Sequence, residues 1–199
     1  MSKIKSALEL ALERTAAVKT DKNAVRKDQA TKRGQAIAAK YFSNPAEKIS
    51  FEEEILRNEE EGAWVKEGIL STVLANLTLP RYESDMAKVP PLSKALEMLS
   101  TTAEQKESMS NLMMQVQDLF TQYLESLKQL DEGLRAQWEP RLRQKEAQLR
   151  QQTGQAVPLT ADQDPEFTKV LSEELGRIDT QFGEVLTRGK EQIRQFLSE

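Results

Sequence analysis

The feature that most constrains this chain is a run of apolar residues that recur in steps of three and four. This spacing places them on one face of an α-helix and is typical of a helix that packs lengthwise against another helix. The surrounding sequence predicts a helix over about residues 102–152, roughly 75 Å long if it is straight. The run consists of Met113, Val116, Phe120, Tyr123, Leu127, Leu130 and Leu134.

A second periodic run lies near the C-terminus. Asp164-Pro165 combines a capping residue with proline at the first helical position, so it predicts a helix from residue 165 to about residue 197. A turn-like linker of about a dozen residues joins the two periodic helices. The simplest packing is therefore a long antiparallel, coiled-coil-like helical hairpin. The second run consists of Leu171, Leu175, Ile178, Phe182, Val185, Gly189, Ile193 and Phe196.

The rest of the chain predicts an all-α protein with no strands. Helices are expected over residues 2–17, 22–42, 50–79 and 92–99, with Ser50 and Glu53 spaced as a capping box. The middle of the second helix has little to bury and should need a partner or another segment to hold it. We expect two parts: a basic amphipathic helical arm over residues 1–43, and a helical bundle with the hairpin over residues 44–199.

Two glycines interrupt the last helix. Gly176 and Gly183 are seven residues apart and therefore share one helix face. Each costs roughly 1 kcal/mol relative to alanine in a helix interior. A close approach of another helix would explain that cost, and so would weak selection on a surface.

Charge is unevenly distributed along the chain. Residues 1–43 hold 10 Lys/Arg and 4 Asp/Glu, whereas residues 44–67 hold 3 and 8. The basic segment could contact nucleic acid, an acidic membrane surface, an acidic partner, or the chain's own residues 44–67. Aromatic residues do not alternate with these charges, so stacking on single strands is not indicated. The candidate interaction residues are Lys19, Lys22, Arg26, Lys27, Lys32, Arg33 and Lys40.

Several classes of chemistry lack their required residues. The chain has no histidine and no cysteine, which excludes Ser-His-Asp and Cys-His catalysis, thiolate metal sites and disulfides. No phosphate-binding or dinucleotide-binding glycine motif is present. The runs 52–54 and 59–61 are all glutamate and seven apart, so corresponding residues should share one helix face. They could hold Mg²⁺ or Ca²⁺ there, or form a solvated acidic face. We expect no catalytic residues, no metal and no cofactor.

The N-terminal sequence from Ser2 to Thr15, SKIKSALELALERT, resembles the start of uncharacterised bacterial helical proteins. The resemblance implies a bacterial cytosolic source and attaches no activity or site residues. A cytoplasmic location is also expected because residues 1–5 lead directly into an amphipathic pattern rather than a secretory signal. No apolar run approaches the roughly 20 residues that span a bilayer.

The sequence predicts a non-enzymatic interaction or scaffold protein. Two long apolar seams, together with missing catalytic residue types, favour helical surfaces that bind a protein partner or a second copy. The alternative is a nucleic-acid-associated protein that binds through the basic N-terminal segment.

Overall fold

The computed structural model describes residues 7–44, 49–57, 60–155 and 158–198, with side chains from residue 22 to residue 197 inside those ranges. Within them the chain is all-α, which confirms the predicted class. The predicted Ser2 cap lies outside the described residues. The α-helices are α1 Ala7–Ser43, α2 Phe51–Leu56, α3 Gly62–Asn76, α4 Val89–Leu99, α5 Ala103–Thr153 and α6 Pro165–Ser198, and short 3-10 helices span Glu83–Lys88 and Ala161–Gln163.

The chain divides into two compact units. The first contains residues up to Leu77 together with Pro90–Met109, and the second contains Thr78–Val89 together with the residues from Ser110 onward. Helices α1 to α4 thus provide the first unit, and most of α5 with α6 provides the second. The predicted division into an N-terminal arm over residues 1–43 and a bundle over residues 44–199 stays a prediction.

Helix α1 crosses helix α3 where both carry glycine. A Cβ atom on Gly68 would overlap the carbonyl oxygen of Thr31, and a Cβ atom on Gly34 would lie 2.9 Å from the amide nitrogen of Ile69. These neighbours are backbone atoms, so the close approach depends on glycine at both positions. Alanines one turn before and one turn after Gly34 are fully buried. Ile37 is the one large apolar residue between Ala30 and Ala38, so this part of α1 packs mainly through its small residues.

Two predicted helix boundaries are wrong. The separate helices 2–17 and 22–42 are one helix from Ala7 to Ser43 as far as it is described, because residues 18–21 contain neither proline nor glycine. The single helix 50–79 is two helices, α2 and α3, separated by a turn. A Cβ atom on Gly62 would lie 2.8 Å from the carbonyl oxygen of Ile55, so α3 begins in direct contact with α2.

The first unit buries mainly α3, whose apolar residues are not confined to one face. Val65, Ile69 and Val73 are each at most 3 % exposed. Tyr41 of α1 packs edge-on against Phe51 of α2 with 5.3 Å between ring centroids, and its hydroxyl donates to a carbonyl of α4 at 3.2 Å. Helix α1 therefore contributes a side chain to the packing of α2 and α4.

The second unit contains the predicted antiparallel hairpin. Tyr123 of α5 packs edge-on against Phe182 of α6 with centroids 5.3 Å apart, and Trp138 packs in the same way against Phe167 at 5.6 Å. Moving forward along α5 therefore corresponds to moving backward along α6 by the same number of residues. This regular pairing confirms that α5 and α6 run antiparallel within one chain.

Candidate interaction surfaces

The centre of the basic segment is paired with glutamates from the turn before α3. Arg26 contacts Glu60 at 2.9 Å and Glu61 at 3.1 Å, and Arg33 also donates to Glu61. The Glu61 side chain is only 12 % exposed, whereas that of Glu60 is 78 % exposed. Glu61 is therefore held between two arginines, and Glu60 lies at the surface.

The other predicted basic residues differ in their surroundings. Lys27 lies 3.3 Å from Glu67 of α3, and Lys32 lies 2.8 Å from Asp28 of its own helix. Arg26, Lys27, Lys32 and Arg33 therefore contact carboxylates of this chain. Lys22 and Lys40 are exposed, and the side chain of Lys19 lies outside the described residues.

Electrostatics at Glu61 favour its charged form. The hydrogen bond from Arg26 lowers the pKa of Glu61 and Arg33 acts in the same direction, while burial opposes them. Glu61 also directly precedes α3, and its carbonyl accepts the amides of Trp64 and Val65 at 3.0 Å each. One acidic residue thus joins the start of α3 to two turns of α1.

These ion pairs agree with one of the four readings of the basic segment, namely contact with the chain's own residues 44–67. They reduce the positive field that the broad surface of a nucleic acid would meet, because acidic residues stand beside Arg26, Lys27 and Arg33.

The two glutamate runs do not share one helix. Residues 52–54 lie in α2, whereas Glu60 and Glu61 lie in the turn after it, so the expected common face is wrong. No group of three acidic side chains in the described part of the chain is placed to hold a metal ion. Glu54 instead forms an ion pair with Arg57 at 3.0 Å.

The end of the hairpin is held by the polar contacts of one buried carboxylate. Asp164 is 7 % exposed and caps α6 by accepting the amide of Glu166 at 3.1 Å. It also accepts from Lys145 at 2.7 Å and from the indole nitrogen of Trp138 at 3.3 Å. The Lys145 hydrogen bond is the main reason that the pKa of Asp164 is lowered. Asp164 therefore both starts α6 and fixes it to α5.

A second polar contact lies within the apolar seam. The hydroxyl of buried Tyr123 donates to Asp179 at 2.6 Å. Burial, together with Asp179, raises the pKa of Tyr123 to about 12. A polar pair inside an apolar helix interface favours one register over its neighbours, since a slip would separate the partners.

The middle of the hairpin leaves apolar residues incompletely covered. Between the two aromatic pairs, the seam side chains other than buried Leu134 are only partly buried, as expected where two helices pack side by side. The partly buried residues called the mid-hairpin surface below are Leu124, Leu127, Leu130, Leu175 and Ile178.

A shallow groove of about 610 Å³ lies on another face of α6. It includes Thr180, Gly183 and Thr187, and both threonine hydroxyls donate to carbonyls of their own helix at 2.8 Å. A Cβ atom on Gly176 or Gly183 would meet no described atom within 4 Å. The close helix approach considered for these glycines is therefore not found in the described part of the chain.

Sequence reasoning missed the most tightly constrained residues. Gly34 and Gly68 were not singled out, and Glu61 was considered only as part of an acidic run, because neither a glycine within a helix nor a glutamate in such a run has a distinctive local pattern. One signal was present: Ala30, Gly34 and Ala38 recur every four residues, which is the spacing of a small-residue helix face.

These features define an all-α protein with a glycine-mediated helix crossing in one unit and an antiparallel hairpin in the other. The chain belongs to the family of unknown function DUF6657, whose model matches residues 51–195. A search of curated proteins and a search of solved structures found no match. No helix within the described ranges is long and apolar enough to cross a membrane.

Proposed function

We propose that this chain is a non-enzymatic interaction protein that binds a helix of another chain along its α5–α6 hairpin. The observation that carries the proposal is the mid-hairpin surface, whose apolar side chains lie on both helices and are only partly buried. A third helix laid along them would remove apolar area from water, which is the main driving force for helix association.

The polar contacts of the hairpin support a preformed binding surface. Asp164 and the Tyr123–Asp179 pair fix the two helices at points on either side of the mid-hairpin surface. A partner therefore meets side chains that are already positioned, which reduces the entropy lost on binding. We propose that the partner helix packs along α5 and α6 as in a coiled coil. This helix belongs either to a different protein or to a second copy of the chain.

The proposed setting is the bacterial cytoplasm, which rests on the N-terminal sequence resemblance. The proposal of a non-enzymatic role rests on residue types. Histidine, the commonest catalytic base, and cysteine, a strong nucleophile, do not occur in the sequence. Nucleic-acid binding through the basic segment is less well supported, because Arg26, Lys27 and Arg33 contact carboxylates of the same chain.

Site-specific photo-crosslinking in the native host tests the proposal. A photoreactive residue at Leu130, in the mid-hairpin surface, should give one discrete crosslinked species. The matched control is Lys128, two residues earlier on α5, whose side chain is 74 % exposed. Equal crosslinking at both positions, or none at Leu130 and at Leu175, would show that the hairpin is not the binding surface. The mass of the product distinguishes a second copy from a different protein.

A further inference from the structure

Helix α1 carries a row of basic side chains along one side. The positions are separated by four, seven and seven residues, so they share a helix face, and the row extends about 27 Å. All four side chains are exposed. We define the cation row as Lys22, Arg26, Arg33 and Lys40.

Carboxylates of the same chain contact both arginines of this row. Arg26 uses its Nε and one Nη atom, and Arg33 uses one Nη atom, in hydrogen bonds to Glu60 and Glu61. A guanidinium group has five N–H donors, so these contacts use only part of the capacity of each arginine. Glu61 holds both side chains in place, which lowers the entropy lost when another anion binds.

We propose that the cation row docks an acidic segment of a partner protein. The partner's carboxylates displace Glu60 from Arg26 and extend the pairing to Lys22, while Glu61 continues to orient the two arginines. Displacement is easy because an exposed ion pair contributes only about 0–1 kcal/mol. This surface lies in the first unit and goes beyond the hairpin surface proposed above.

The surroundings of the row favour protein carboxylates over nucleic acid. Double-stranded DNA carries about one charge per 1.7 Å of helix axis over a broad surface, so it would also meet Glu60 and Glu67 beside the row. An acidic segment of a protein needs only a narrow line of contacts. The row also contains no aromatic residue on which a base could stack.

Fluorescence anisotropy with labelled poly-L-glutamate and the full chain tests the proposal at about 0.02 M salt, where screening is weak. Lys22→Glu should weaken binding about fivefold, the effect of roughly one exposed ion pair. Lys128→Glu makes the same charge change on α5 and should have less than about half of that effect. Glu60→Gln removes the competing carboxylate and should strengthen binding more than Glu125→Gln, an equal charge change at another exposed site.

Three results would overturn the proposal. The first is the absence of poly-L-glutamate binding at low salt. The second is an equal effect of each variant and its control, which would mean that only net charge matters. The third is tighter binding of a labelled DNA duplex than of poly-L-glutamate with the same sensitivity to Lys22→Glu, which would assign the row to phosphates.

Discussion

Gly68→Ala should destabilise the first unit, although glycine to alanine normally stabilises a helix. The new Cβ atom would overlap the carbonyl oxygen of Thr31 and lie 2.9 Å from its carbonyl carbon and 3.1 Å from the amide nitrogen of Gln35. Because all three are backbone atoms of α1, relief requires the two helices to move apart. Overpacking of this kind costs about 3 kcal/mol at the upper end of the usual range. The gain in helix propensity is about 1 kcal/mol, which leaves a net loss of about 2 kcal/mol.

The two tryptophans allow each unit to be followed separately. Trp64 lies in α3 and Trp138 in α5, so Trp138→Phe leaves a fluorescent probe in the first unit and Trp64→Phe leaves one in the second. Urea unfolding followed by Trp64 should give the loss for Gly68→Ala. The control is Gly176→Ala followed by Trp138, which should gain about 1 kcal/mol because its Cβ would meet no described atom within 4 Å. If Gly68→Ala is neutral or stabilising, the close helix crossing is wrong.

Three further predictions concern the hairpin. Phe167→Ala should cost about 3–5 kcal/mol in urea unfolding followed by Trp138, because Phe167 is fully buried against it; a loss below about 1 kcal/mol would contradict this packing. Lys145 lowers the pKa of Asp164, which stabilises the fold at pH values above the unfolded-state pKa near 3.9. The free energy of unfolding should therefore fall more steeply from about pH 5 downward in the wild type than in Asp164→Asn. Parallel plots of unfolding free energy against pH would exclude that role. Since the pKa of Tyr123 is raised to about 12, the stabilisation by its protonated hydroxyl is present below about pH 10 and is lost as pH rises through 12. The phenolate absorbance difference between wild type and Tyr123→Phe should therefore appear near pH 12, and an appearance near pH 10 would contradict the burial of this side chain.

The long helices could be predicted because their signals are local. Steps of three and four over many residues identify α5 and α6, and Asp164-Pro165 marks the start of α6 to the residue. The antiparallel pairing followed from a short linker between two apolar seams. The Ser50 cap was also predictable from the three-residue spacing of Ser50 and Glu53. In the structure the Ser50 hydroxyl accepts the amide of Glu53 at 3.3 Å.

The packing of the first unit could not be predicted because it depends on tertiary contacts. Gly34 and Gly68 meet across two helices, whereas Gly176 and Gly183 have the same local sequence character and meet no described neighbour. The turn before α3 likewise depends on Gly62 contacting α2, which no periodic pattern indicates. Glu61 belongs to a run of three glutamates, and only its position between two arginines distinguishes it.

Amide hydrogen exchange of the full chain, alone and with the partner captured through Leu130, tests the proposed function most directly. Binding along the hairpin should slow exchange in residues 120–134 of α5 and 171–182 of α6, because a third helix would suppress local opening there. Exchange at the end of α5 near residue 150, away from the mid-hairpin surface, should change little. Protection confined to helices α1 to α4, with the hairpin unchanged, would contradict the account.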